Sequence, residues 1–343
     1  MANARPERLR LASYNVEWMN ALFGDDGHLL EDGERSARYE VTRGQQLASL
    51  GIVFTAMDAD AVAIIEAPDT NGRRSTVAAL ERFAAHFGLR TRAALIGFPS
   101  ETEQEIAFLY DPDRLRLSHD PQADVTAPRF DGAFRYDLDT DAAPETIRFS
   151  KPPLEVRARL SDGQALRLIA VHAKSKAPHG ARNAAAAKRL GIENRRKQLA
   201  QCIWLRARVE SHLMAGDPLI VLGDFNDGPG LDEFERLFGR SGVEVVLGPE
   251  GGSQLYDPHA AMALTSRLGP SPTTARFYLK PPGRYFEALL DFIMVSPDLA
   301  ARHPAWRIWH PFNDPRIAAV PELHEALLAA SDHFPVTLDL PLN

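Results

Sequence analysis

Short apolar runs recur along the chain, and most of them end in polar residues. The run LRLASY at 9–14 alternates apolar and polar positions, which is typical of a half-buried strand. AVAII at 61–65 is continuous and bounded like a fully buried strand. Further runs of this kind lie at 165–171, 219–223, 290–295 and 334–340. The pattern predicts a strand at each of these positions.

The stretches between the runs predict helices, and the helices and strands alternate along the chain. The predicted helices cover roughly 39–57, 74–87, 183–213 and 231–238. Strands interleaved with helices and hairpin-like links indicate an α/β fold with mixed sheets.

Two segments, 111–153 and 241–287, are rich in proline, glycine and charged residues. We interpret them as long surface excursions over the edges of the sheets. Neither segment has the composition of a linker, so we expect a single domain spanning 1–343.

The composition narrows the function classes. The 343 residues are 45% hydrophobic and 25% charged, as in ordinary globular proteins. The one cysteine, Cys202, excludes internal disulfides and a cysteine-built zinc site. With no apolar signal segment at the N-terminus and no run long enough to span a membrane, we expect a cytoplasmic protein. No obligate protein partner is evident.

The charge balance bears on nucleic-acid binding. The formal net charge is −7 and the pI is about 5.9, which argues against a protein held on nucleic acid by bulk positive charge. A nuclease is not excluded, because bound cations and a local basic rim offset acidic ligands.

The candidate chemistry collects at the ends of the predicted strands. Residues with metal-binding or catalytic side chains follow four early strands, and others precede the last two strands. The first set comprises Asn15, Glu17, Glu66, His172, Asp224 and Asn226; the second comprises Asp291, Asp332 and His333. If the last two strands run antiparallel to the others, both sets gather at one rim.

Such a rim suits magnesium or manganese. Magnesium prefers oxygen ligands and is usually held by one or two carboxylates together with substrate phosphate. A carboxylate or a histidine beside the ion can activate water for attack on a phosphodiester. The strand ends therefore predict a metal-dependent phosphoesterase.

The order of the motifs resembles a known superfamily. Six strings occur in sequence: ASYNVEW, IIEAPD, VHAKSK, VLGDFND, LLDFIMVS and SDHFPV. The chain therefore resembles the endonuclease/exonuclease/phosphatase superfamily over residues 11 to 336. The resemblance implies an α/β four-layer sandwich, in which two packed mixed β-sheets are flanked by helices. VHAKSK, followed by a helix with arginine and glutamine, looks most like a branch of bacterial nucleases.

The resemblance also implies a role for each residue. It places Asn15, Glu17, Glu66 and Asp332 at the metal, with Glu66 the principal ligand. It also implies catalytic roles for His172, Asp224, Asn226, Asp291 and His333. In these roles His172 and Asn226 contact phosphate, Asp224 positions or activates water, and Asp291 orients His333.

The sequence favours hydrolysis of a phosphodiester in DNA or RNA, with Mg²⁺ or Mn²⁺ as cofactor. A phosphatase or phospholipase acting on a small or lipid phosphoester, and a catalytically silent binding module, remain open. So does the number of metal ions. Lys174 and Lys176 are candidates to clamp an anionic substrate, and the aromatic stretch 276–286 either stacks bases or packs a loop.

Overall fold

The computed structural model describes residues 8–136, 145–178, 180–231, 235–265, 271–279 and 283–342. The strands are β1 (Arg8–Asn15), β2 (Ala61–Ala67), β3 (Ala93–Ile96), β4 (Glu105–Tyr110), β5 (Leu115–His119), β6 (Phe134–Tyr136), β7 (Glu145–Ile147), β8 (Leu154–Leu160), β9 (Ala165–His172), β10 (Leu219–Asp224), β11 (Ala275–Leu279), β12 (Arg284–Ala288), β13 (Asp291–Val295), β14 (Ala305–Ile308) and β15 (Val336–Pro341). The helices are α1 (Arg43–Met57), α2 (Thr76–His86), α3 (Ala184–Ala215), α4 (Glu235–Phe238), α5 (Gly242–Leu247), α6 (Pro258–Thr265), α7 (Pro297–Ala300), α8 (Pro315–Ala318) and α9 (Pro321–Ala330). A 3₁₀ turn covers Met19–Leu22.

Two mixed sheets form the centre of the fold. The six-stranded sheet has the order β14-β15-β1-β2-β4-β3, and the five-stranded sheet has the order β13-β10-β9-β8-β5. In each sheet one parallel pair lies inside, β1 with β2 and β9 with β10. The neighbours β15 and β13 run antiparallel to these strands. Two hairpins, β6–β7 and β11–β12, form separate small sheets.

Successive side chains of a strand face opposite sides of its sheet, so the core has three apolar regions: one between the two sheets and one between each sheet and its helices. On β1, Leu9 and Leu11 face the other sheet, while Ala12 and Tyr14 pack under α1, α2 and α9. On β10, Ile220 faces the first sheet, and its neighbours pack against α3 and α5. The layers run helix, sheet, sheet, helix, which confirms the predicted four-layer sandwich.

Helix α3 is 32 residues long and covers the second sheet. It begins at Asn183, whose side chain accepts a hydrogen bond from the Ala186 amide, and it ends at Gly216 with φ 73°. Its sequence is rich in arginine, and Arg208 is buried against Phe130. None of the helices within the described residues combines the length and the apolar character that a membrane crossing requires.

The structure confirms the predicted strands and the helices predicted near 39–57, 74–87 and 183–213. Of the helix predicted at 231–238 it shows Glu235–Phe238, and 232–234 lie outside the described residues. The two long excursions differ from the prediction. Residues 111–153 include β5, β6 and β7, and 241–287 include α5, α6 and β11. Both also contribute to the core, because Phe130 and Val246 are completely buried against the second sheet. The described parts of these segments therefore contribute to the packed layers as well as to the surface.

Candidate active site

The predicted site residues meet at one edge of the two sheets. Asn15 is the last residue of β1, His172 the last of β9 and Asp224 the last of β10. Asp224 lies opposite His172 on one side and opposite Asp291, the first residue of β13, on the other. The antiparallel direction of β13 and β15, expected from the sequence, is confirmed and brings the late motifs to the same edge.

The backbone at this edge adopts conformations that side chains usually avoid. Glu66, with φ 66°, sits at a register shift between Ile65 and Ala67 in β2. Glu17 and Asn226 have φ 46° and 49°. Left-handed backbone at such residues costs about 1–2 kcal/mol each, and strain of this kind clusters at functional sites.

Asp291 and His333 form a buried pair. The Nδ1 of His333 lies 2.8 Å from Oδ2 of Asp291. The hydroxyl of Thr274 accepts the Asp291 amide at 3.0 Å, which fixes the start of β13. Burial alone would lower the pKa of His333, but the carboxylates of Asp291 and Asp224 outweigh it and raise that pKa well above its ordinary value. The other ring nitrogen, Nε2, lies 3.9 Å from Oδ2 of Asp224.

Asp224 is held by amide groups from two strands. Its Oδ1 accepts the Asn226 backbone amide at 2.7 Å. Its Oδ2 accepts the side-chain amides of Asn15 at 3.1 Å and Asn226 at 3.2 Å. Burial raises the pKa of Asp224 to about 7, against the opposing influence of His333. Asn226 also donates to the Ala173 carbonyl at 3.1 Å, so its amide fixes Asp224 relative to β9.

His172 faces the same carboxylate and has a partner that the motifs did not reveal. Its Nε2 lies 3.7 Å from Oδ2 of Asp224 and 3.2 Å from the ammonium of Lys151, which also donates to Gln104 at 2.8 Å. Burial lowers the pKa of His172 well below its ordinary value, and the charge of Lys151 lowers it further. Lys151 precedes β8 in RFSKPP, where the only sequence signal is a lysine beside a buried strand.

Three further carboxylates, those of Glu17, Glu66 and Asp332, lie near Asn15. The Trp18 amide donates to Oε2 of Glu66 at 2.8 Å. Oε2 of Glu17 accepts the Asp332 amide at 2.9 Å and an Arg38 guanidinium at 3.1 Å. Burial raises the pKa of Asp332 to about 7, and the negative charges of Glu17 and Glu66 contribute to the increase. A divalent cation would offset this repulsion, so the oxygen donors fit a hard metal ion.

A second group of donors could also hold a metal. Ligand atoms of Asp224, Asp291 and His333 all lie within 4.8 Å of one another. This group differs from the set that the motifs suggest, Asn15, Glu17, Glu66 and Asp332. The edge therefore offers two adjoining donor groups, linked by the Asn15 side-chain amide, which donates to both Glu66 and Asp224.

The two lysines after His172 have different surroundings. Lys176 pairs with Asp227, which is fully buried and also accepts the Gly242 amide at 2.6 Å. Lys174 is partly buried and lines the cavity above the site, and burial lowers the pKa of its ammonium. The proposed phosphate clamp is thus better supplied by Lys174 and Lys151 than by Lys176.

A cavity of about 680 Å³ opens over the whole edge. Every predicted site residue except Asp291 lines it, together with Gln104 and Lys151, and the aromatic hairpin β11–β12 contributes Phe277 and Phe286 to its wall. The ring of Phe277 packs edge-on against His333, with 5.5 Å between centroids. Acidic groups, two histidines and a buried ammonium around one cavity are suited to binding a phosphate and activating a water.

Comparisons with known proteins agree with the fold. A model of the endonuclease/exonuclease/phosphatase family matches residues 12–333. The structure of D. rerio TDP2 complexed with a single-strand DNA product has 12% identity and a TM-score of 0.52, with 97% of this chain and 98% of that chain covered. The structure of C. elegans TDP2 has 12% identity and a TM-score of 0.53, with 98% of this chain and 74% of that chain covered. Comparison with curated proteins gives no match.

Proposed function

This chain belongs to the endonuclease/exonuclease/phosphatase family, and from that premise we propose that it is a divalent-metal-dependent phosphodiesterase acting on DNA or RNA. The family and the fold support hydrolysis of a phosphoester. The metal, the roles of the residues and the nucleic-acid substrate are our proposal.

One observation carries the proposal more than any other. Asp224 lies between the Nε2 atoms of His172 and His333, at 3.7 and 3.9 Å, and is bonded to Asn15 at 3.1 Å. The two groups that we assign to the attacking water, Asp224 and His333, thus lie close to the group assigned to phosphate, His172, and Asp224 also contacts Asn15, which we assign to the metal. A module that only binds has no physical need for this combination of buried groups.

We assign the metal to Glu66, Asn15 and Asp332, with Glu17 fixing the Asp332 backbone and contributing to the acidic field. A bound Mg²⁺ or Mn²⁺ would supply charge neutralisation at the phosphate and polarise its oxygens. The ammonium of Lys151 contacts His172, whose Nε2 lies 3.9 Å from Oε1 of Glu66, so it would add positive charge beside the proposed metal site.

For the chemical step, we assign Asp224 to deprotonating the attacking water and the Asp291–His333 pair to positioning it, because the raised pKa of His333 favours the protonated ring. The carboxylate of Asp291 accepts a hydrogen bond from Nδ1–H of His333, and the other ring nitrogen, Nε2, is therefore the one directed toward Asp224. We assign His172 to contact with the phosphate and with the leaving oxygen, and Asn226, which donates to Asp224, to holding that carboxylate in position.

The test is a turnover screen with magnesium and manganese, before and after exhaustive chelation. Substrates should include plasmid DNA, RNA, an abasic duplex, inositol phosphates, sphingomyelin and a small chromogenic diester. Full activity after chelation would contradict the metal mechanism. Turnover of inositol phosphates or sphingomyelin without turnover of nucleic acid would favour the alternative substrate class.

The salt dependence of binding separates the same alternatives. Because the chain carries a net charge of −7, only a few phosphates can be neutralised at the rim. We expect nucleic-acid affinity to fall with salt with a log–log slope of about two to four, and Lys174→Ala to reduce it. Equal affinity for a mononucleotide diester and a long strand at low salt would contradict the nuclease assignment.

A further inference from the structure

Next to the catalytic cavity lies a second cavity of about 780 Å³ with an aromatic wall. The two cavities share lining residues, among them Glu17, Phe277 and Asp332. The wall of the second cavity is formed by three tyrosines, Tyr39, Tyr278 and Tyr285. We call these three residues the tyrosine platform.

The tyrosine platform is unusually exposed for aromatic side chains. Tyr39, Tyr278 and Tyr285 are 51%, 40% and 49% exposed. The rings of Tyr39 and Tyr278 are nearly parallel, with 7° between their planes and 5.9 Å between centroids. Tyr285 meets Tyr278 at 61°, 5.2 Å away. Clustered exposed aromatic surface beside a catalytic cavity indicates a binding site for a flat ligand.

The platform is held at a fixed position relative to the catalytic groups. The Arg276 amide donates to the Asp332 carbonyl at 2.7 Å, and Ala275 pairs with His333 in an isolated bridge. The Arg276 guanidinium lies 3.4 Å from the centre of the Tyr285 ring, which restrains that ring. The hairpin that carries two of the tyrosines is therefore attached to the segment carrying Asp332 and His333.

We propose that the tyrosine platform stacks the bases of a single-stranded nucleic acid next to the phosphodiester that is cleaved. The inference rests on the proposed function and narrows its substrate. Every base offers a flat π-face, and aromatic side chains bind successive bases of a single strand by stacking. In a duplex these faces are covered by neighbouring bases, so only an unpaired strand presents them to the platform.

The lining of the second cavity favours a base over a lipid chain. Three charged residues, Glu17, Arg38 and Asp332, line this cavity together with the tyrosines. An acyl chain would leave these polar groups poorly solvated, whereas the edges of a nucleobase can hydrogen-bond to them. Stacking also adds affinity without bulk positive charge, which agrees with the net charge of −7.

The test compares Tyr39→Leu, Tyr278→Leu and the conservative Tyr278→Phe with the unmodified enzyme. Substrates are single-stranded DNA and RNA oligonucleotides, the same strands with abasic sites, a matched duplex and a small chromogenic diester. We expect each leucine variant to raise KM for the intact single strand by about tenfold, and Tyr278→Phe to leave it nearly unchanged. Turnover of the abasic strand and of the chromogenic diester should change less than about twofold.

Tyr256→Leu is the matched control. Tyr256 is 46% exposed and packs against Trp306, and it bridges Val295 at the end of β13 remote from Asp291. It should leave KM for every substrate unchanged. Thermal denaturation and a manganese titration of each variant will show whether folding and metal binding are intact.

The possible failures are distinguishable. If the enzyme cleaves oligonucleotides but the leucine variants leave KM for the intact single strand unchanged, the platform proposal is wrong and the proposed nuclease function stands. If the leucine variants raise KM equally for the intact and the abasic strands, the tyrosines contact the backbone and do not stack on bases, and the platform proposal is wrong. Preferential hydrolysis of sphingomyelin vesicles, reduced by Tyr278→Leu, would also overturn it in favour of a lipid. Absence of turnover on every substrate with either metal would count against the proposed function itself.

Discussion

Asp291 and His333 belong to segments 42 residues apart, and yet Oδ2 of Asp291 lies 2.8 Å from Nδ1 of His333 inside the protein. The contact arises because β13 and β15 both begin at the edge where the early strands end. If Asp291 acts only by fixing the tautomer and charge of His333, its benefit depends on the histidine.

We therefore predict that Asp291→Asn and His333→Ala are strongly non-additive. His333→Ala should lower kcat by roughly 10²- to 10⁴-fold, the range for loss of a general acid or base. The double variant should be little worse than His333→Ala alone. Steady-state kinetics at saturating metal measures this, and multiplying losses would show that the two residues act independently.

Glu66→Gln should weaken metal binding more than it affects folding. Glu66 lies at the rim with one oxygen held by the Trp18 amide, so the amide side chain keeps the shape but loses the charge. We expect manganese affinity to fall by at least about tenfold, by analogy with changes around other metal sites. Calorimetric titration measures the affinity. Glu322→Gln, at an exposed position in the first turn of α9, is the control. An unchanged titration would remove Glu66 from the ligand set.

Lys151→Met should raise the pKa of His172. Burial is the largest cause of the low pKa of His172, and the ammonium of Lys151 is the next. Without that positive charge, the protonated imidazole becomes less unfavourable, so protonation occurs at higher pH. NMR titration of the ring in metal-free protein measures the change. Lys174→Met should produce a smaller increase, because Lys174 contributes less. A decrease in either variant would contradict this electrostatic account.

Gly223→Ala should destabilise the fold next to Asp224. At Gly223 φ is 137°, and an added Cβ would lie 2.0 Å from the Val171 carbonyl oxygen. The loss in free energy of unfolding should exceed the about 1–2 kcal/mol expected from a left-handed backbone alone. Gly163→Ala separates the two effects, since φ there is 91° but no atom lies within 4 Å of the added Cβ. Urea denaturation gives both values, and equal losses would argue against the clash.

Glu105 should make stability depend on pH. Burial raises the pKa of Glu105 from 4.5 to about 7, although the Ser100 amide donates to its carboxylate. The folded state thus binds this proton more tightly than the unfolded state. The contribution of Glu105 to stability is therefore complete below pH 4.5 and is lost as the pH rises through about 7.

The Glu105→Gln variant tests this pH dependence. The stability of the unmodified protein minus that of the variant should fall between pH 4.5 and 8, while the exposed-site control Glu101→Gln should show no such trend. Urea denaturation across this pH range measures the difference. A difference that is constant with pH would contradict the buried-carboxyl interpretation.

The local pattern of the sequence was sufficient to locate much of the candidate site. Asn15, His172 and Asp224 each end an apolar run, and Asp291 begins one. Strand ends are recognisable because alternation and apolar runs are local properties of the chain. The order of the motifs then indicated the family and its four-layer architecture, which the structure confirms.

Other features depended on contacts between distant parts of the chain. Lys151, which precedes β8, contacts His172 at the end of β9. Lys176 pairs with the buried Asp227, and Tyr39 stacks on Tyr278. A lysine or a tyrosine has the same local signature in any of these environments. The difference is made by desolvation and by the partner that packing brings within reach, and neither is encoded in neighbouring residues.

The sequence by itself therefore determined which residues stand at the strand ends, while tertiary structure decided how they are paired and charged. Asp224 illustrates both parts. Its position after an apolar run can be recognised in VLGDFND, but its pKa of about 7 results from burial among groups contributed by distant strands. Burial and Coulomb energy depend on three-dimensional distance, whereas hydrophobic periodicity depends only on position along the chain.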